Sequence, residues 1–193
     1  MTPAFLTTPR LVLRPLTLMD CTTTYLSWLH DPRVTKYLEV GHLPLTLTAL
    51  ERYVAHFQDS TTDLAFAICL PTGEHIGNVT LQHIRWIPRT AETGLLLGEA
   101  TCWGQGYAQE AWSALLAYAF DRLGLRKVIA GVVEGNTASL RALQVLGFQQ
   151  EGRLRDEYLI DGQYQDALRF GVFESAWVDQ NKNAPNREAR SVA

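Results

Sequence analysis

Several short segments of the chain alternate hydrophobic and polar residues or are apolar throughout, and both patterns are typical of β-strands. Asp161 and Gly162 lie between two such segments, and an Asp-Gly pair favours the tight turn of a hairpin. We therefore expect the segments on either side of this pair to be antiparallel neighbours. The pattern predicts seven strands, at residues 10–16, 64–70, 76–84, 92–98, 127–133, 153–160 and 164–173.

Other segments place apolar residues three or four positions apart, which predicts helices that each bury one face. The longest is expected from Gly106 to about Leu123. Shorter helices are predicted from residues that cap a first turn. They begin at Thr17, with Asp20 as its capping-box partner, at Asp31-Pro32, at Thr48 with Glu51, and at Asn136. This order of elements predicts an α/β fold of the α+β type, with a mixed, mostly antiparallel, seven-stranded sheet flanked by helices.

The chain has the length of one ordinary domain. No linker rich in Pro, Gly or Ser divides it, so residues 8–176 are expected to form a single domain. Residues 177–193 are polar and have little apolar surface to bury, so we expect a disordered tail there.

Charge and composition argue against several classes of function. The formal net charge is −3, whereas nucleic acids and anionic membranes favour basic proteins as partners. No segment approaches the ~20 apolar residues of a membrane helix, and no basic segment followed by an apolar run opens the chain, so a cytoplasmic protein is expected. The cysteines and histidines show no metal-ligand spacing, so no metal site is expected.

The segment that suggests chemistry joins the strand at 92–98 to the long helix and reads Trp103-Gly-Gln-Gly-Tyr-Ala108. Two glycines one residue apart let the chain turn sharply and expose its N–H groups. The helix that follows adds unpaired N–H groups and the positive end of its dipole, which is typical of a phosphate site. The spacing fits neither a Walker P-loop, which needs a lysine after Gly106, nor a Rossmann turn, which needs a third glycine near Gln109. An ordinary strand-to-helix turn remains the alternative.

A second segment runs from Asn136, the predicted cap of a helix, to Gly147-Phe148. Together, WGQGYAQEA and N-x-x-S-(x)6-L-G-F resemble the two coenzyme A segments of the GNAT superfamily of N-acetyltransferases. TPRLVLRPLT, IGNVTL and EGRLRDEYLIDGQYQDALRFGVF resemble the branch that contains the ribosomal-protein N-terminal acetyltransferases. The resemblance covers roughly residues 8 to 175 and implies an acyltransferase that moves an acetyl group from acetyl-CoA, its cosubstrate, to a primary amine.

The resemblance further implies a GNAT-like splayed sheet. The strands 92–98 and 127–133 would part at their C-terminal ends and hold the pantetheine arm between them. The residues implied to bind the coenzyme are the main chain of Leu95, Leu96 and Leu97, the pyrophosphate loop of Trp103, Gly104, Gln105, Gly106, Tyr107 and Ala108, and Asn136 and Ser139 near the acetyl end.

The catalytic residues implied by the resemblance depart from the usual family pattern at one position. Many members have a tyrosine as general acid seven residues after the asparagine, where this chain has Leu143. Ser139 matches a candidate proton donor of the ribosomal-protein branch. A carboxylate of that branch aligns with Tyr158, beside Glu157. Neighbouring strand residues point to opposite faces, so only one of the two can face the acetyl group, and we favour Tyr158. Glu99 is a further candidate base, with a solvated surface role as the alternative.

Trp28, Tyr37 and His83 are candidates for binding the acceptor amine, and packing in the core is the alternative for Trp28 and Tyr37, above all for Trp28. The acceptor is expected to be either the α-amine of a protein N-terminus or a nucleotide-linked amino sugar, while polyamines and other small amines remain open. Two further hypotheses are a non-catalytic acyl-CoA-binding module and a nucleotide-binding domain unrelated to coenzyme A. Family analogy alone suggests a homodimer.

Overall fold

A computed structural model describes residues 4–181 of the chain. Its strands are β1 (Leu6–Thr7), β2 (Val12–Pro15), β3 (Leu64–Cys69), β4 (His75–Arg85), β5 (Thr90–Leu97), β6 (Lys127–Val133), β7 (Gln149–Ile160) and β8 (Gln163–Phe173). They form one open sheet in the order β1-β2-β3-β4-β5-β6-β8-β7. The pair β5–β6 is parallel, and the other six neighbouring pairs within the described residues are antiparallel.

The helices lie on both faces of this sheet. They are α1 (Thr23–His30), α2 (Pro32–Thr35), α3 (Leu47–Asp59), α4 (Tyr107–Ala117), α5 (Thr137–Val145) and α6 (Glu174–Asn181). One hydrophobic cluster packs α4 and α5 on one face, through side chains such as Leu115 and Leu143. A second cluster packs α1 and α3 on the other face, through Trp28 and Val54. The predicted α/β class with a mostly antiparallel sheet is confirmed.

The sheet has eight strands rather than the predicted seven. The additional strand is β1, whose two residues pair with Val12 and Leu13 of β2. Two residues are too few to show an alternating pattern, which is why the sequence did not reveal this strand. The described structure also corrects the start of the predicted tail. α6 continues through Asn181, and Trp177 is buried against the main cluster because its large apolar ring outweighs the polarity of its neighbours. Residues 182–193 of that predicted tail lie outside the described residues.

Two predicted helix starts differ in detail. Thr17 and Asp20 do form a capping box, but it caps a single 3-10 turn over Leu18–Asp20, and α1 then begins anew after Thr22. Thr22 interrupts the helix because its hydroxyl accepts the N–H of a residue three positions on and so caps a second helix. In the same way Thr46, rather than Thr48, caps α3.

The two central strands separate along their length. β5 and β6 are paired only over Thr90–Glu92 and Lys127–Ile129. Beyond these residues β5 remains paired with β4 on its other side, and β6 remains paired with β8. The result is a wedge that opens toward the C-terminal ends of both strands, as expected for a splayed sheet.

A buried ion pair anchors the segment that leads from the sheet into α1. Arg14 donates two hydrogen bonds to Asp20, at 2.6 and 2.8 Å, and Asp20 is 5% exposed. Burial alone would raise the pKa of Asp20. The bonds from Arg14 and from the main chain of Thr17 outweigh burial and hold that pKa below its ordinary value of 3.8.

We expect Asp20→Asn to lower the free energy of unfolding by about 3 kcal/mol at neutral pH, because it leaves a buried guanidinium without its counter-charge. The contribution of Asp20 is fully present above pH 3.8 and is lost as the pH falls through the lower pKa of the folded state. Urea unfolding of both proteins at pH 7 and near pH 3 should show the difference between them shrink on acidification. Asp31→Asn, which weakens an ion pair with a largely exposed arginine, should cost much less. An equal loss in the two variants would contradict this prediction.

Candidate active site

The edge of β5 that faces the wedge carries unpaired main-chain groups. The N–H of Gly98 bonds to the carbonyl of Ile76 on β4, and main-chain groups of successive strand residues point to opposite edges. Leu96 is therefore bonded toward β4, whereas Leu95 and Leu97 point into the wedge. Of the three leucines predicted to meet the pantetheine arm, the geometry leaves two with groups available for it.

The loop between β5 and α4 exposes a row of main-chain N–H groups. Gly104 and Gly106 have φ of 72° and 82°, the left-handed region that glycine adopts without strain. Among the hydrogen bonds of the described residues, the N–H groups from Gly104 to Gln109 have no acceptor. Trp103 differs, because its N–H bonds to Ala100 and its indole donates to the carbonyl of Leu97 at 2.8 Å. The N–H groups of residues 104–109 can therefore bind an anion. The Trp103 indole connects the loop to Leu97 at the edge of the wedge.

The second predicted coenzyme segment lies at the end of β6. The Asn136 side chain accepts the N–H of Ser139 at 3.2 Å and so caps α5. The hydroxyl of Tyr37, which follows α2, donates to the carbonyl of Gly135 at 2.9 Å. This contact brings the predicted acceptor wall beside Asn136 and Ser139. Leu143 is fully buried in the main cluster, so it packs where other family members have a tyrosine.

A cleft of about 210 Å³ opens between the segment after α2 and the outer strand β7. It is lined by Tyr37, Leu38, Glu39, His42, Glu157, Tyr158, Leu159 and Ile160. Two of the predicted site residues, Tyr37 and Tyr158, thus meet in one cavity. Glu39 and Glu157 are the acidic residues of the lining, and no lysine or arginine of the described chain belongs to it. A salt bridge of 2.8 Å between Lys36 and Asp161 joins the two walls at the rim.

A bulge in β7 lies directly before Tyr158. The register with β8 shifts between Leu154 and Tyr158, and Asp156 has a φ of 55°. Strict alternation, on which the choice between Glu157 and Tyr158 rested, does not hold through a bulge.

Asp166 on β8 holds this bulge from inside the hairpin. Its carboxylate accepts the N–H of Asp156 at 2.9 Å and is bonded by Arg153. These two contacts lower the pKa of Asp166, the Asp156 N–H contributing most. The contacts that hold the bulge therefore also stabilise the ionised form of Asp166.

Three further predicted site residues, Trp28, Glu99 and His83, also lie outside the cleft lining. Trp28 is 5% exposed and packs against Gly98 in the second cluster, which corresponds to the packing alternative. The Glu99 carboxylate accepts the N–H and hydroxyl of Thr101, so it caps the 3-10 turn before the loop. His83 is exposed on a bulge of β4, where its N–H donates to the buried Asp63 at 2.8 Å.

A charged cluster at the narrow end of the wedge was not predicted. Arg169 of β8 crosses β6 above Gly131 and donates to Glu92 of β5 at 2.7 Å. A Cβ on Gly131 would lie 2.8 Å from the same guanidinium nitrogen, so the glycine leaves room for this contact. His83 lies 3.7 Å from the other oxygen of Glu92. The cluster ties β5 to β8 across the last paired residues of the central strands.

Within the described residues, no helix has the length and apolarity that crossing a bilayer requires. The same part of the chain holds no group of three or more histidine, cysteine or acidic side chains that could bind a metal ion.

Comparisons with known proteins agree with this geometry. A family model described as an acetyltransferase (GNAT) domain matches residues 10–149. An uncharacterized N-acetyltransferase, p20, of Bacillus licheniformis is 33% identical over 176 residues, 89% of this chain and 97% of the relative. The spermidine N(1)-acetyltransferase of Escherichia coli K12 is 30% identical over 130 residues, 67% of this chain and 68% of the relative.

The fold agrees with a solved structure as well. The crystal structure of a spermidine N-acetyltransferase from Vibrio cholerae in complex with CoA and spermine superposes with a TM-score of 0.80 at 25% identity, covering 89% of this chain and 99% of that one. The wedge, the glycine loop and the match over residues 10–149 lead to one conclusion: the chain belongs to the GNAT family, and the protein is an N-acetyltransferase.

Proposed function

We propose that this protein transfers the acetyl group of acetyl-CoA to a primary amine of a small polycationic acceptor, an aliphatic polyamine. The observation that carries the proposal is the cleft beside the wedge, which is lined by Glu39 and Glu157 and by no lysine or arginine of the described residues. Carboxylates attract ammonium groups and hold an acceptor that carries more than one of them. The similarity to spermidine N-acetyltransferases supports the same acceptor class.

The electrostatics of the cleft distinguish among the expected acceptors. A nucleotide-linked amino sugar would bring a diphosphate toward Glu39 and Glu157, and like charges repel. The α-amine of a protein N-terminus is the second candidate, because Leu38 and Leu159 add apolar lining on which a first side chain could pack. We propose the cytoplasm as the site of the reaction, and a homodimer remains a prediction.

The chain's own groups fit the coenzyme. The N–H groups of residues 104–109 would bind the diphosphate. The free main-chain groups of Leu95 and the N–H of Leu97, whose carbonyl is bonded to Trp103, would bind the pantetheine arm. When bound, acetyl-CoA supplies an activated thioester carbonyl.

We propose Tyr158 as the proton donor to the sulfur, with Ser139 as the second candidate. In the transfer the C–S bond breaks and a C–N bond forms, the amine gives up one proton to water or a cleft carboxylate, and the sulfur receives one from Tyr158.

Gly106→Val should raise the dissociation constant of acetyl-CoA at least tenfold. A β-branched residue is strained at the positive φ of this position, so the loop would turn its N–H groups away, and the loss of charge-assisted bonds is worth about that factor. Gly124→Val is the matched control, because Gly124 has a φ of 65° at the far end of the same helical segment. Calorimetric titration should show an effect in the first variant alone, and equal affinities would refute the loop as the diphosphate site.

A panel of amines tests the acceptor class. Spermidine, a peptide with a free N-terminus and a nucleotide-linked amino sugar are compared as acceptors by release of free thiol. We expect the highest kcat/KM with spermidine, and Glu157→Gln should raise its KM about fivefold while changing that of a monoamine little. The highest kcat/KM with the peptide would favour the second candidate. Binding of acetyl-CoA without turnover on any amine would favour the non-catalytic module.

Tyr158→Phe should lower kcat by about 10²-fold, since a positioned proton donor contributes a factor of that order. KM for acetyl-CoA should stay close to wild type. Tyr164→Phe is the control on the same hairpin, because Tyr164 is 68% exposed and outside the cleft lining. An unchanged kcat in Tyr158→Phe would remove this residue from the mechanism and transfer the test to Ser139→Ala.

A further inference from the structure

Arg10, which lies outside both predicted coenzyme segments, contacts the glycine loop. Arg10 lies between β1 and β2, and its Nη1 donates to the carbonyl of Gln105 at 2.9 Å. Its guanidinium also stacks over the ring of Tyr107, with Cζ 4.5 Å from the ring centroid. The side chain thus contacts the loop and the first residue of α4 at the same time.

Arg10 also bonds to Glu110, a carboxylate in the first turn of α4. Nε and Nη2 of Arg10 lie 2.7 and 2.6 Å from one oxygen of Glu110. The other oxygen of Glu110 accepts the main-chain N–H of Arg10 at 3.0 Å and the hydroxyl of Thr8 at 2.6 Å. The N-terminal segment and the helix are therefore joined by several charge-assisted bonds that fix where the guanidinium stands.

Two N–H groups of the Arg10 guanidinium remain available for a ligand. Of its five N–H groups, three are used by Gln105 and Glu110, and the other two have no acceptor among the described residues. The side chain is 47% exposed. A Cβ built on Gly106 would lie 3.5 Å from Nη2, so the free donors stand beside the residue that caps α4. They adjoin the same loop whose N–H groups lack acceptors.

The negative charge of Glu110 lies close to the proposed phosphate site, and Arg10 forms an ion pair with it. A carboxylate in the first turn of a helix favours the helix itself, but it opposes the approach of a phosphate to that helix terminus. With Arg10 bonded to it, Glu110 is neutralised, and the remaining field at the loop is that of the N–H groups and the helix dipole.

We propose that Arg10 is a positioning residue of the coenzyme site, which holds the glycine loop in shape, neutralises Glu110 and directs two N–H groups to the phosphates. The proposal rests on the proposed function, because it requires acetyl-CoA at this loop. It assigns Arg10 to donor binding and gives it no part in acetyl transfer.

The test compares Arg10→Met with Arg122→Met. Arg122 is the matched control, since it is an exposed arginine stacked on Phe5 and Tyr118, and its loss changes the net charge equally. The dissociation constant of CoA is measured by calorimetry. KM and kcat are measured with acetyl-CoA and with a short acetyl thioester that lacks the nucleotide and the phosphates.

In Arg10→Met we expect CoA to bind at least tenfold more weakly, KM for acetyl-CoA to rise by a similar factor, and kcat to stay within about twofold. The short thioester should react as in wild type, because it has no phosphate to lose. Arg10→Lys, which keeps the charge without the planar fork, should bind CoA with intermediate affinity. Arg122→Met should match wild type.

Unchanged CoA affinity in Arg10→Met, or an equal loss in Arg122→Met, would overturn the proposal while leaving the proposed function intact. A wild-type protein that binds no CoA would overturn the proposed function itself. If Arg10→Met melts well below wild type, Arg10→Lys carries the test: weaker CoA binding supports the role, and unchanged binding refutes it.

Discussion

The architecture depends on the early separation of two neighbouring strands in the middle of the sheet. Main-chain N–H and C=O groups are costly to leave unpaired, so a sheet normally keeps its central strands together. Here β5 and β6 pair over three residues each and then diverge. The separation can persist because each strand is paired on its other side, and because Arg169 and Glu92 join the two halves beside the point of separation. The unpaired edge is thereby presented as a binding surface.

A hydrogen bond joins the glycine loop to the unpaired edge of β5. The Trp103 indole bonds to the carbonyl of Leu97, so the last residue of β5 and the first of the loop are held at a fixed distance. Two buried aspartates hold bulges of β4 and β7, since Asp63 accepts the N–H of His83 and Asp166 accepts that of Asp156. At both bulges the irregular backbone is thus held by a side chain that accepts an N–H group left free by the irregularity.

Local signals in the sequence predicted most of the fold, and long-range contacts account for what was missed. The strands, the hairpin at Asp161-Gly162 and the glycine loop each depend on residues close together in the chain, so their patterns are visible without the fold. Arg10 and Glu110 are 100 positions apart, and no periodicity or motif links them. The bulge beside Tyr158 was likewise not visible in the sequence, because a bulge depends on pairing with the partner strand. The residues of a site are predictable when the chemistry is local, as in the loop, and not when the fold must bring them together.

The bulge in β7 has a second consequence that concerns solubility. β7 is the outermost strand of the sheet, and a long regular edge strand is a template on which other chains can add by main-chain pairing and so aggregate. The shifted register between Leu154 and Tyr158 and the left-handed residue Asp156 interrupt that template, and Arg155 adds an exposed charge. The distortion beside the cleft therefore also protects this edge of the sheet from pairing with other chains.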